Sequence, residues 1–414
     1  MIKFLQKLGP GLLFAGAAIG VSHLVQSTKA GSNFGFGLLW ALLLINLIKY
    51  PFFQYGPRYA AATGENLLEG YKKLGKWALR FYALLTLATM FTIQTAVTIV
   101  TAGIASSLFG SSLSLELWAV IILGFCFLLL LLGKYNLLDK MMKIIIILLS
   151  ISTLLAVGIA FNNSSGELPW TQVFPTSNLE VVFLIAFMGW MPAPLDVSIW
   201  HSLWAVEKQK TTDVFNKKSA LLDFNIGYVS TIILGVCFLL LGGLVMYGSG
   251  KSFSDSGGEF SLQLIDMYTE NLGDWSFAII GVAAFTTMFS TTLTTLDASP
   301  RAMNKTMELI LEKKIKKGYN AWLILLILGT VIIFFLFLSE MGSLIKIATI
   351  LSFLTAPFYA LMNYLVLCSK HTPKAWQPSK TMHILSIFGI LFLVGFNIWY
   401  LSIFNFFRAY FVSL

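Results

Sequence analysis

Apolar residues run along this chain in stretches of about 20, the length that crosses a hydrocarbon core, separated by short polar connections. A window of that length finds about eleven stretches, centred near Ala18, Leu44, Ile93, Leu123, Leu149, Gly189, Gly235, Phe285, Leu328, Phe353 and Leu393. The pattern predicts a bundle of membrane helices and no separate soluble domain. Two stretches are interrupted. The first, Gly9 to Gly31, carries Ser22 and His23 at its middle. The sixth, Phe183 to Ala205, holds Pro192 and Pro194 with Asp196 just beyond. One broken helix in each half is the arrangement by which membrane carriers build a site near the bilayer midplane.

Composition agrees with the pattern. Of 414 residues, 57% are hydrophobic and 11% charged, and the mean hydropathy is +0.80. Too little polar surface is left to cover a water-soluble globule of this size. The net charge of +9 does not point to nucleic acid, because Lys and Arg fall between apolar stretches and form no basic face interleaved with aromatics. Cys126, Cys237 and Cys368 lie within or at the end of apolar stretches without CxxC spacing, so they read as buried small hydrophobes. The start, MIKFLQK, is not read as a cleavable signal, because the apolar run continues past the usual length and another stretch follows.

Charge also predicts orientation. With the N-terminus in the cytosol, the clusters Lys72 to Lys76, Lys134 to Lys143, Lys208 to Lys218, Arg301 to Lys317 and Lys370 to Lys380 all fall on the cytosolic side. The opposite loops keep Lys29 and Lys251, and the tail Arg408. This is the positive-inside asymmetry, and it places the C-terminus outside an inner, plasma-type membrane of bacterial kind. Gly248 to Trp275 reads as one long external loop, rich in Ser, Gly and acidic residues.

Each polar residue in these stretches carries two readings. Pro192 and Pro194 each remove a donor and exclude an uninterrupted helix. The first stretch has no such breaker, so Gly16 and Gly20 fit either an unwound segment or a close helix contact of the small-xxx-small kind. Asp196 fits an N-cap on the second half-helix, a ligand, or both. His23 is a ligand or an interhelical hydrogen-bonding group; His201, between Trp200 and Trp204, fits packing or gating better than coordination. In the eighth stretch Thr287, Ser290, Thr291 and Thr294 fall near one helical face, where they line an aqueous path or bind neighbouring helices.

The order GPG, AGAAIGVSHLVQSTKAGSNFGFGLLWALLLINL, the MP of the sixth stretch, the HS after it, and ILSFLTAPF from Ile350 to Phe358 resemble the NRAMP metal-ion transporters. The resemblance runs from about Gly9 to the tenth stretch. It implies an all-α, leucine-transporter-like fold of about 11 transmembrane helices with helices one and six discontinuous. Residues 9–161 and 180–368 then form a 5+5 inverted repeat within a single transporter domain spanning 1–414, and 382–407 an additional helix.

Matched position by position, the ligand sites differ from that family's pattern. Where its first helix has Asp-Pro-Gly-Asn, this chain has Gly20, Val21, Ser22 and His23. In the sixth helix the Met-Pro-His pattern keeps Met191 and Pro192 with Ala193 in place of His. Aligned instead on the downstream HS, Asp196 replaces the His and Pro194 the Met. The acidic pair of the third helix aligns to Gln94 and Val97, and the Gln of the tenth to Ala348, beside Thr349.

These residues favour a divalent cation as the cargo, of the manganese and iron or the magnesium class, without the proton-relay acids of the resembled family. Gly20, His23, Met191, Ala193 and Asp196 form the expected site, and Gln94, His201, Thr287, Ser290, Thr291 and Thr349 the expected path. The other reading is a small organic solute such as an amino acid or amine, with Asp196 meeting an ammonium and Trp190 and Trp200 an apolar group. An enzyme is not expected, since no HExxH, GxSxG or Walker pattern occurs. No cofactor, nucleic acid or obligatory protein partner is expected; the partners are the cargo and the lipid bilayer.

Overall fold

A computed structural model describes residues 9–109, 113–163, 170–211, 217–250, 253–254, 257–273, 276–337 and 341–412, and among these there are helices and turns but no strands. Helices α1 (Pro10–Ala18) and α2 (Thr28–Phe34) are joined by a π-helical turn, Val21–Ser27, to make the first segment. Then come α3 (Leu39–Thr63), the short α4 (Leu67–Leu74), α5 (Lys76–Phe109) and α6 (Leu115–Asn163). The second half opens with α7 (Asn178–Trp190) and α8 (Val197–Thr211), the two parts of the sixth segment. It continues with α9 (Lys217–Val245), α10 (Gly257–Leu272), α11 (Ser276–Leu311), α12 (Gly318–Phe337), α13 (Met341–Cys368) and α14 (Lys380–Val412).

Eight segments among the described residues are long and apolar enough to cross a membrane. The other three expected spans are helical too, but α3 carries Asn46, Lys49, Gln54 and Arg58, the sixth segment is split, and α11 is rich in hydroxyls. The molecule is an integral membrane protein. Its outer face shows Leu132, Leu155, Ile384 and Leu391, while Lys49, Thr101, Asp223, Thr294 and Asn363 are fully buried. Lipid accepts the first set, and the second is satisfied only by protein partners.

Two sequence expectations change. The Lys134 to Lys143 stretch is not a loop: α6 runs helical through it, in keeping with its Leu, Lys and Met content and its lack of Gly and Pro. Residues 248–275 are not a plain loop either. They contain α10, whose acidic residues alternate with Phe260, Leu264 and Ile265, and those three are buried. Their i, i+4, i+5 spacing puts an apolar edge on the helix that packs onto α5 and α6.

The first segment lies along α9 for its whole length. At one end a Cβ on Gly11 would stand 2.1 Å from the carbonyl oxygen of Asp223, and one on Gly227 at 2.1 Å from that of Gly11. At the other end a Cβ on Gly31 would meet Leu239 O at 2.0 Å, and one on Gly242 would meet Thr28 O at 2.2 Å. Backbones this close need residues without side chains on both helices. Between the two ends, His23 reaches Thr231 O on α9. The Asp223 carboxylate also accepts the N–H groups of Gly9 and Gly11 at 2.9 and 2.7 Å. It therefore supplies the acceptor that the start of α1 lacks within its own sequence.

Candidate functional site

The two breaks face each other in the buried interior. In the first segment α1 ends at Ala18, Ile19 and Gly20 leave the helix, and the π-helical turn begins. A Cβ on Gly20 would lie 2.5 Å from Thr291 Oγ1, so the glycine serves both expected roles, a break and a close contact. The carbonyls exposed by the break are taken up from α11: Thr291 Oγ1 lies 3.1 Å from Gly16 O and 3.2 Å from Ile19 O, and Ser290 Oγ 3.2 Å from Gly16 O. Ser22 Oγ lies 3.2 Å from Pro192 O and ties one break to the other.

The sixth segment unwinds from Met191 to Asp196, between α7 and α8. Its free carbonyls converge on one side chain, Lys49 of α3. Lys49 Nζ lies 2.9 Å from Met188 O, 2.7 Å from Gly189 O, 2.9 Å from Met191 O and 3.3 Å from Ala193 O, and the residue is wholly buried. Four acceptors around one nitrogen suit an ammonium, which has three donors and no lone pair to clash with carbonyl oxygen. The C-terminal end of α7 carries partial negative charge, which favours the same cation. Sequence reasoning missed Lys49. Its signal was nonetheless present, a lone lysine in the apolar run LLLINLIKYPFF, and an ionisable group within a span is by default functional.

Asp196 begins α8. Its carbonyl accepts Ile199 N at 2.9 Å, while the Val197 N–H goes to Pro194 O at 3.2 Å. Asp196 thus stands at the N-cap position, and one carboxylate oxygen, Oδ1, is buried with no hydrogen-bond partner. Lys49 stands at the same break, its Nζ 3.3 Å from Ala193 O. The indole N–H of Trp200, one turn on, is buried without a partner as well.

The remaining site candidates separate into engaged and open groups. His23 has Nδ1 2.7 Å from Ser22 Oγ and 3.0 Å from Ala18 O, and Nε2 3.0 Å from Thr231 O, so both ring nitrogens are occupied. Gly20 O accepts the N–H groups of His23 and Leu24, and the carbonyls of Met191 and Ala193 face Lys49. The Met191 thioether lodges against α9, with Sδ 3.5 Å from where a Cβ on Gly235 would stand. His201 stacks on Phe14 with ring centroids 5.6 Å apart, and neither ring nitrogen has a partner.

Gln94 joins α5 to α11. Its Nε2 lies 3.3 Å from Thr98 Oγ1 and 3.4 Å from Thr292 O, and its Oε1 accepts Thr295 Oγ1 at 2.8 Å. Thr287 Oγ1 donates to Ala283 O at 2.6 Å within its own helix. Thr349 is buried on α13 with its carbonyl against Gly189, and nearby Ser352 receives the Trp190 N–H at 2.9 Å. The hydroxyl face of α11 thus spends its hydrogen bonds on helix contacts and on the first break.

Several known proteins are similar to this chain. The family model Nramp, described as natural resistance-associated macrophage protein-like, matches residues 11–402. An uncharacterized protein of Pasteurella multocida is 36% identical, over 95% of this chain and 92% of its own length. Metal transporter Nramp6.2 of Populus trichocarpa is 24% identical, over 97% of this chain and 74% of its own. Among solved structures, a manganese transporter variant from Eremococcus coleocola superposes with a TM-score of 0.71 at 16% identity, covering 95% of this chain and 85% of that one. MhsT in complex with L-phenylalanine superposes at 0.65 with 16% identity, covering 94% and 98%. These structures share this chain's leucine-transporter fold. With the family model spanning nearly the whole sequence and the Pasteurella relative matched over almost all of its length, the chain belongs to the Nramp family.

Proposed function

We propose that this protein is a secondary transporter or facilitator of a divalent metal cation, bound between the breaks of the first and sixth segments. The observation that carries this reading is the Asp196 carboxylate: buried beside the unwound backbone, with Oδ1 unpartnered. A buried anion left in that state invites a cation. Family membership and the metal-transporter names of relatives support the same class of cargo.

With the Met191 sulfur turned against α9 and both His23 nitrogens engaged, the available donors are oxygens. That favours a partly hydrated magnesium or manganese ion over softer metals. Gln94 and Val97 offer no ionisable group on α5, so transport without a carboxylate proton relay through that helix follows. In this reading residues 9–161 and 180–368 are the two repeats and 382–407 the added helix. The N-terminus lies in the cytosol of a bacterial-type cell, and the C-terminus outside.

One observation favours a second reading. Lys49 and Asp196 bring opposite charges to the same break, so the region offers a doubly charged ion no net attraction and suits a zwitterion such as an amino acid better. Flux into proteoliposomes containing a pH dye, with a panel of divalent cations and competing amino acids and amines, separates the two. The metal reading predicts saturable cation uptake without acidification, together with a metal-dependent rise in melting temperature that Asp196→Ala removes. Thermal shifts and uptake seen only with amino acids or amines would reverse the order.

A further inference from the structure

The four-carbonyl cage around Lys49 adjoins the proposed cargo site at Met191 and Ala193, but what it answers is the unwound backbone itself. An unwound segment inside a membrane leaves backbone oxygens that water does not reach, and each is costly unless something electropositive meets it. Carriers built on broken helices meet this need with unwound carbonyls and half-helix C-terminal ends gathered around a free cation. In this chain the oxygens of Met188, Gly189, Met191 and Ala193 are gathered instead around an ammonium delivered from another helix. The stem of Lys49 is packed in the core and its residue is wholly buried, so the charge is held in position rather than drawn from solution.

We propose that Lys49 is a tethered cation: it occupies permanently a backbone site that would otherwise take up a free monovalent ion. The sixth break is then kept in its binding-ready shape without sodium or potassium, and the protein has no saturable requirement for either. Removing the side chain creates a vacant cage whose ligands are neutral carbonyls, of a size for an ammonium headgroup. Small cations, methylammonium above all, then bind there. Lys49 acts as a positioning residue in this scheme, since it holds the backbone on which Asp196 stands and does not itself contact cargo.

The test is thermal unfolding of the purified full-length protein in detergent. Wild type and Lys49→Ala are compared in choline, sodium, potassium and methylammonium chloride at equal ionic strength and without cargo. Wild type is expected to melt at one temperature in all four salts. Lys49→Ala is expected to melt lower in choline and to recover at least half of the loss, saturably, in methylammonium or a small alkali cation. A loss that is the same in every salt marks the lysine as packing only and overturns the proposal, as does a variant that melts like wild type in choline. If Lys49→Ala cannot be recovered folded, wild type decides: saturable stabilisation by sodium or potassium overturns the proposal, and indifference to both supports it. Because no divalent metal enters the measurement, its outcome is separate from that of the metal-transport reading.

Discussion

At the scale of single residues, the difference between Lys49 and Asp196 is one of partners. Both are charged groups deep in the interior, but four oxygens surround the first and one oxygen of the second has none. A group whose hydrogen bonds are complete is structural in its present state; one left incomplete can accept a ligand without first breaking anything. For that reason Asp196→Asn is expected to weaken cargo-dependent thermal stabilisation at least tenfold in apparent affinity while leaving the cargo-free melting temperature nearly unchanged, since the unpartnered oxygen has no hydrogen bond to lose. Titrating cargo against melting temperature for both proteins checks it. Asp196 was legible in the sequence because two prolines precede an acid within an apolar run. The role of Lys49 was not, because nothing in a linear pattern says that an α3 side chain meets carbonyls some 140 positions away. His23 was legible as a polar residue at a break, but its saturation by Ala18, Ser22 and Thr231 depends on how α9 packs.

The helices carry a second lesson. The sixth discontinuity was readable from proline chemistry, whereas at the first the two glycines left an unwound segment and a close helix contact both open. What supports each of them was not readable. The freed carbonyls of the first break are met by hydroxyls of α11 and those of the sixth by an ammonium from α3. A Thr-rich helix and a lone lysine thus perform the same task in different ways. Asp223 performs a third version at the start of α1, where two backbone N–H groups point into its carboxylate. Replacing Asp223 with Ala leaves buried donors unmatched and is expected to cost about 2–3 kcal/mol, read as a lowered midpoint in denaturant or heat. Asp223→Asn, which keeps one acceptor oxygen, should lose less. Within 248–275, residues 257–272 fold as α10 because Phe260, Leu264 and Ile265 recur among the acidic residues at helical spacing.

For the molecule as a whole, charges gather at one end. Arg301 pairs with Asp297 at 2.7 Å, Lys305 with Glu69 at 2.7 Å, and Lys73 with Glu65, while Asp297 also accepts Tyr319 Oη at 2.9 Å. Trp204 Nε1 lies 3.3 Å from the same Asp297, which links α8 to α11 and α12. Lys76 and Lys72 approach Glu312 at 3.0 and 3.4 Å, beyond the end of α11. The hydrogen bond from Lys76, with the attraction of Lys76 and Lys72, holds the Glu312 carboxyl below its ordinary 4.5. A carboxyl lowered on folding adds stability above the unfolded value and loses it as pH falls through the folded one. Melting curves between neutral pH and pH below about 4.5 should therefore fall less steeply for Glu312→Gln than for wild type.

The close seam between the first segment and α9 bears on how such a molecule changes shape. Glycine crossings clamp the two helices at both ends, and His23 pins them in the middle, so α9 acts as a splint across the first break. A splinted joint does not flex alone. In the transport reading, motion that opens this protein to one side of the membrane is expected to carry α9 along with the first segment.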